Sequence, residues 1–401
     1  MRMDNTLQSE PMQVVRIKEC EFTILGTAHV SQSSATTVKN LIDPKNFDAV
    51  AVELCINRYT SITDPDSISR IDLFDAIRSG RIPMITANLA LSAFQQRVAD
   101  QLGIEPGADM RNAIHKAQEH QIPLILIDRE IGTTLKRVYR NVRWYQRLKL
   151  FSALVAGVIT RQKISEDDIE RLKKGDLLEA SFKEFAEKEL NLFKPLIAER
   201  DEYMAAVLRK DTALHHYRRT LVVVGAGHMN GLARHLESEA DPDKTMEELN
   251  RIPPPARWTK LIPWILLGLI AVGLAVGFYC DTEAGWDMIR YWILATGLGC
   301  ATGTLLSGGH PITVVVAFVA APITTLHPLI GAGMVTGAVE AYLRHPHVRD
   351  FSQLRHDAAS LRGWWHNRVT RIFLVFIFSS LGAAVGTYLS VFYIGNRISC
   401  G

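Results

Sequence analysis

The sequence predicts an α/β soluble domain with a mixed, largely parallel sheet, helices and a helical insertion, followed by a C-terminal α-helical membrane domain. Three observations predict this. Up to about residue 240, short apolar runs rich in β-branched residues alternate with helical stretches. Beyond residue 260, long uncharged stretches recur. And one phrase, an apolar run followed by Gly-x-x-His, is written twice, as "FTILGTAH" and "LVVVGAGH".

The elements follow in order. Residues 1–12 read as an N-terminal tail without an apolar core, so no signal peptide is expected. "FTIL" is a buried strand, and residues 33–42 after it are helical. "DAVAVEL", 48–54, is a second strand. Residues 84–102 and 108–120 read as helices, "IPLILID" at 122–128 as a strand, and the chain turns helical again from Ile131. The charged stretch 165–215 reads as long helices that cap the sheet. "TLVVV", 220–224, is the last strand, with a helix through "GLARHLES". The α/β domain thus covers 13–240, and the charged, proline-rich 241–260 reads as a linker.

The membrane domain, 261–401, opens with twenty uncharged residues, 261–280, the length that crosses a bilayer core as a helix. Residues 291–309 and the run from Arg371 are further candidates. Residues 311–343 are apolar but broken by Pro311, Pro322 and Pro328, too short for two full spans, and are expected to form a re-entrant or short-helix hairpin. Arg251, Arg257 and Lys260 precede the first span, acids follow it, and six arginines crowd 344–371. By the positive-inside rule this is a multi-pass protein of the cell (inner) membrane, with the N-terminal domain in the cytoplasm and the 281–290 loop outside.

Composition excludes some classes. A net charge of +3 gives no case for nucleic acid as partner. The five cysteines are scattered, odd in number and form no C-x-x-C, which fits a reducing compartment and argues against a disulfide scaffold or a cysteine zinc site. The membrane segments carry almost no charge except Glu340, which speaks against a transporter or channel. The remaining partners are the lipid bilayer and a peptide or small-molecule ligand; a homo-oligomer is compatible with the sequence.

The repeated phrase is the candidate site. The 27 glycines and 13 histidines of the 401 residues give about one Gly-x-x-His by chance, and the chain has three. Two of them place His29 and His228 just past strand ends, where ligands bind in open α/β sheets. Glu53 ends the second strand, with Arg58 just after it; Asp128, Arg129 and Glu130 end another; Glu199, Arg200 and Asp201 lie on a helix, where the blander account is a solvated surface turn. Two histidines and a carboxylate suit a divalent ion such as zinc, manganese or cobalt, which would lower the pKa of bound water. Without metal, a histidine could act as general base, oriented by a carboxylate.

"ILGTAHVS", "VAVELCINRY", "DREIGTTLKR", "ERDEYMA" and "VVVGAGHMNGL" together resemble the TraB family, the pheromone-shutdown proteins, over most of residues 13–240. The membrane tail is similar to that of the bacterial and archaeal members. The family is grouped with the Tiki metal-dependent proteases and, more distantly, with erythromycin-esterase-like hydrolases. The resemblance implies that His29, His228 and Glu53 form one centre, as metal ligands or bases, with Arg58 and Arg129 supporting. It implies a membrane-anchored, metal-dependent hydrolase of the peptidase kind. Tiki domains, however, lie behind a signal peptide that this chain lacks, and blocking a peptide signal needs only sequestration. The alternative is therefore a non-catalytic membrane protein that binds a peptide or small ligand in the same cleft.

Overall fold

The computed structural model describes residues 10–27, 32–64, 72–87, 89–90, 93, 107–142, 145–146, 152, 194–254, 261–327 and 330–397. The chain divides into two compact units, residues 1–65 with 95–253, and residues 66–94 with 254–401.

The first unit is a five-stranded sheet. Its strands are β1 (Met12–Ile17), β2 (Cys20–Thr27), β3 (Ala49–Val52), β4 (Leu124–Leu126) and β5 (Arg219–Gly225), in the spatial order β1-β2-β5-β3-β4. β1 runs antiparallel to β2 along one edge, and all other pairings are parallel. β1 is a strand that the sequence does not announce, at the boundary of the expected tail. The last strand in sequence is the central one in space, because β5 inserts between β2 and β3.

Alternation decides which residues face which layer. Phe22, Ile24, Ala49, Ala51, Val222 and Val224 face one way, against α6 (Glu199–His215) and α7 (Met229–Leu236). Leu25, Val50, Val52, Leu221 and Val223 face the other, beside Val38 of α1 (Gln32–Leu41) and Met110, Ala113 and Ile114 of α4 (Ala108–Glu119). Both faces are covered, so the central strands read as unbroken apolar runs rather than alternating ones. Each fully buried Leu or Val there contributes about 1.5–3 kcal/mol. Two shorter helices, α2 (Ile56–Thr63) and α5 (Ile131–Asn141), follow β3 and β4.

Residues 242–250, read in sequence as linker, form a helix, α8 (Pro242–Asn250). Its start is built locally: Asp241 caps it by accepting from the N–H groups of Asp243 and Lys244, and Pro242 sits in the first turn, where its missing N–H costs nothing. Its Leu249 is buried. Residues 84–87 are helical as expected, and the expected helices over 94–102 and 165–193 lie outside the described residues.

The second unit is helical. α3 (Leu73–Arg78) belongs to it, with Ile77 against Gly337 of α12 (Ala332–Arg344). Its other main helices are α9 (Ile262–Cys280), α10 (Thr282–Leu306), α11 (Pro311–Thr325), α13 (Leu361–His366) and α14 (Arg368–Arg397). Residues 311–344 are two helices packed on each other, not one. Among the described residues α14 alone is long and apolar enough to cross a membrane; the apolar parts of α9 and α11 are shorter.

α10 and α14 pack antiparallel through glycines. A Cβ on Gly299 would lie 2.4 Å from the Gly382 carbonyl oxygen, and one on Gly303 2.1 Å from that of Phe378. Glycine lets the two backbones touch there, as small residues do in membrane bundles. Glu340 is fully buried but satisfied: it accepts from the His310 N–H, from Thr313 Oγ1 at 2.6 Å and from Arg344. Its fixed role as acceptor is structural.

The cysteines depart from expectation. Cys20, Cys55 and Cys300 are free, but Cys280 is disulfide-bonded. The reading against disulfides rested on an odd count and scatter, and neither excludes a single pair at an exposed helix end such as that of α9.

Candidate functional site

The parallel pairing brings three strand ends together. Gly26 is opposite Val224 and Thr27 opposite Gly225, so the two Gly-x-x-His phrases leave adjacent strands side by side. On the other flank of β5, Val52 pairs with Val223, which places Glu53 beside Gly225. Glu53 Oε2 accepts the Gly225 N–H at 2.7 Å. Asp128 follows β4 at the same carboxyl edge, its N–H bonded to the Leu54 carbonyl at 3.2 Å.

His228 is buried at this edge, and α6 holds it. His228 Nδ1 lies 2.5 Å from Asp201 Oδ1. Its Nε2 lies 3.4 Å from Glu53 Oε1 and 3.2 Å from Arg200 Nη1. Arg200 donates through Nη2 to Glu53 Oε1, and through Nε and Nη2 to the two oxygens of Asp128, each at 2.9 Å. One guanidinium thus ties the ends of β3 and β4 to the histidine. Asp201 reaches His228 because residue 231 is glycine: a Cβ there would lie 1.9 Å from Asp201 Oδ2. Gly26 has a similar task, since its Cβ would strike Met229 Sδ at 2.1 Å.

Charge follows from this geometry. Burial works to lower the His228 pKa, but the Glu53 charge and the Asp201 hydrogen bond outweigh it and raise the imidazole above its usual range, with Arg200 opposing. Burial likewise works against Arg200, and the carboxylates of Glu53 and Asp128 more than offset it, so the guanidinium stays charged.

The residues singled out in sequence are placed as follows. Glu53 and His228 meet. Arg58, on α2, stands at the rim, its side chain 40% exposed and its Nη1 3.8 Å from Asp128 Oδ2. Arg129 does not join them. It is fully buried and donates to Thr134 Oγ1 at 3.1 Å, and to Glu199 Oε2 and the Pro195 and Leu249 carbonyls at 3.0 Å each. It anchors the start of α6 and the end of α8 to β4. Glu199 is also gripped by Arg137; these two arginines outweigh burial and hold its carboxyl below the usual range. His29 lies outside the described residues.

Arg200, Asp201 and Asp128 are the residues that sequence reasoning left out of the site. A signal existed: Asp201, Met204, Ala205 and Leu208 fall at i, i+3, i+4 and i+7, all buried, so Asp201 lies on the inward stripe of α6.

A divalent ion does not fit the described residues as they stand. His228 Nε2 and Glu53 Oε1 are donors of suitable type, but the Arg200 guanidinium lies against both. No group of three or more His, Cys, Asp or Glu among the described residues is arranged to hold a metal. What the arrangement supports chemically is proton transfer, through a histidine oriented by one carboxylate and facing another.

Comparison with known proteins places this site in a family. Residues 12–248 match the family model of TraB/PrgY/gumN, and residues 258–399 match that of the TraB family protein C-terminal domain. An uncharacterised protein of Methanocaldococcus jannaschii is 30% identical over 380 residues, covering 93% of this chain and 94% of its own. The TraB domain-containing protein of Bos taurus is 29% identical over 279 residues, 63% of this chain and 72% of its own. That of Homo sapiens is 28% identical over 257 residues, 58% and 66%. The sequence motifs, the carboxyl-edge site and these matches agree: the chain belongs to the TraB/PrgY/gumN family.

Proposed function

We propose that this chain is a membrane-anchored hydrolase of the peptidase kind, with His228 as its proton-transferring group. The observation that carries the reading is the buried Asp201–His228–Glu53 array at the carboxyl edge of a parallel sheet. Asp201 accepts the Nδ1 proton and fixes the ring, so Nε2 faces the cleft side where Glu53 lies. In that tautomer a neutral Nε2 accepts from Arg200 Nη1; once protonated, Nε2–H turns its bond to Glu53 Oε1. The histidine can take a proton from a water attacking a carbonyl and return it to the leaving amine. Arg58, exposed at the rim, is positioned to meet the carbonyl oxygen as charge develops on it. Arg200 holds Glu53, Asp128 and the histidine in register. The resemblance implies His29 as a second histidine of the same reaction.

The membrane reading rests on several supports. The outer faces of α9, α10, α11 and α14 expose large apolar residues, among them Trp264, Leu269, Leu298, Val315, Val319, Val385 and Phe392. Such a surface needs a lipid cover. The arginines stand at one end of α9, and the disulfide of Cys280 at the other, where an oxidising compartment would preserve it. The α/β unit is therefore assigned to the cytoplasm.

The test is a peptide-library cleavage assay on the purified full chain, beside His228→Ala and Asp201→Asn, with and without exhaustive chelation. Turnover that survives chelation and is lost in His228→Ala supports the reading. Turnover that needs added zinc, manganese or cobalt moves the site to the metal-dependent form. Equal cleavage by wild type and His228→Ala sinks it. A second reading, peptide sequestration, is favoured by the contact of His228 Nε2 with Arg200, which engages the atom that proton transfer needs. Retention of library peptides without cleavage would select it.

A further inference from the structure

Beyond α12 the arginine-rich loop folds back over the end of the helical unit, and a cavity of about 510 Å³ opens there. It is lined by Asp357, Arg362, Gly363, Trp365, His366 and Arg371. Its floor is fixed by direct bonds. Trp365 Nε1 donates to the Leu306 carbonyl at 3.0 Å, and Arg371 Nε donates to the Trp365 carbonyl at 2.6 Å. Gly363 crosses the Asp357 backbone so closely that a Cβ would lie 1.8 Å from its carbonyl oxygen. The cavity is therefore built by the fold rather than left by loose side chains.

Its lining carries two arginines against one carboxylate. Arg362 and His366 are exposed on its walls, and Arg371 lies at its base. Among the described residues neither Arg362 nor Arg371 is ion-paired with a carboxylate. Asp357, the acid in the lining, is engaged by Asn367 Nδ2 at 2.9 Å. Glu340 is held by Arg344 and contributes no free charge. Next to the cavity the surface becomes apolar: Leu305, Leu306 and Leu361 are exposed, and Leu306 is the residue whose carbonyl holds Trp365. A cationic hollow floored by a tryptophan and continued by exposed leucines matches a molecule with an anionic head and hydrocarbon tails.

We infer that this cavity binds the phosphodiester headgroup of an anionic phospholipid, with its acyl chains along Leu305 and Leu306. Arg362 and Arg371 meet the phosphate oxygens, and Trp365 lies at the level where headgroup meets chain. The inference rests on the membrane reading of the helical unit, which carbonate-washed membranes test separately: loss of the full chain to the wash would fail that reading.

The experiment is native mass spectrometry of the detergent-purified full chain, titrated with phosphatidylglycerol, phosphatidylcholine or sodium phosphate. Wild type is expected to prefer phosphatidylglycerol to phosphatidylcholine by about tenfold or more, and Arg362→Gln to weaken phosphatidylglycerol about 5-fold. Arg362 is exposed, so the variant should fold, and unchanged circular dichroism and elution check this. Equal binding of the two lipids, or undiminished binding by Arg362→Gln, overturns the inference. Displacement of the lipid by inorganic phosphate at like concentration overturns it too, and leaves an anion site only.

Discussion

Gly231→Ala should disconnect the histidine from its carboxylate without touching either. Gly231 lies inside α7, where alanine is normally the better helix former by about 1 kcal/mol. Here the added Cβ would fall 1.9 Å from Asp201 Oδ2 and 2.7 Å from its Cγ, so the carboxylate must move by more than an ångström. The 2.5 Å bond to His228 Nδ1 cannot survive that shift. A hydrogen bond to a charged group contributes about 1.5–3 kcal/mol. Net of helix propensity, the variant should lose about 1–2 kcal/mol in urea unfolding of the detergent-solubilised chain. In an Asp201→Ala background the carboxylate is gone and the added Cβ meets only the Cβ of residue 201, at 3.2 Å, so the same substitution should cost much less and the double-mutant cycle reports the coupling. The effect should also depend on pH. The folded-state pKa of His228 is raised, so its contribution is complete below the unfolded value near 6.5 and is lost as pH rises through the folded one. Gly231→Ala should therefore cost more at pH 6 than at pH 9. A cost independent of pH, or an equal cost in both backgrounds, would refute the reasoning.

Other outcomes follow from the same geometry. Arg129→Met should destabilise by about 3–5 kcal/mol, because it leaves carbonyls and a carboxylate buried around an apolar chain, while Arg58→Ala at the rim should change unfolding by less than about 1 kcal/mol. Gly382→Val should break the α10–α14 contact, since its Cβ would lie 2.0 Å from the Gly299 carbonyl oxygen; aggregation on size exclusion is expected, with Gly395→Val, which meets nothing within 4 Å, as the control. In cells carrying single-cysteine variants, Glu283→Cys should react with an impermeant thiol reagent and Ser360→Cys should not; the reverse pattern would invert the topology.

Much of this site was legible because strand ends have a sharp signature. An apolar β-branched run followed by a charged or small residue located Glu53 and His228 and marked Asp128 as a strand end without assigning it to the site; parallel pairing did the rest. What sequence could not supply was the order of strands. Nothing local says that β5, almost two hundred residues after β2, inserts beside it. "ERDEY" reads as solvated helix surface because adjacent charges on a helix usually are; at the start of α6 its four charges spread around the axis, and two of them, Glu199 and Asp201, are buried against Arg129 and His228. The family resemblance implies Arg129 as a supporting arginine, yet its side chain turns away from the edge and is spent on Thr134, Glu199 and two backbone carbonyls. Residues 242–250 looked like linker on composition, although Asp-Pro at their start is a helix signal.

The repeated phrase has a physical explanation that differs from the one its symmetry suggests. Its two glycines do different work. Gly26 is bare so that Met229, the residue after His228, can pack against β2. Gly225 gives its N–H to Glu53 and so fixes the carboxylate that faces His228. Both glycines therefore serve the histidine of β5: one seats the helix that starts after it, the other aims the acid in front of it. A third glycine, Gly231, admits the acid behind it. The arrangements at Gly26 and Gly231 would be lost by adding one methyl group, at sites where no polar atom is altered, whereas the Gly225 N–H is one that any residue but proline would supply. That makes substitutions at Gly26 and Gly231 discriminating probes of this centre, since they displace the helix after His228 or the carboxylate behind it while leaving every titratable group in place.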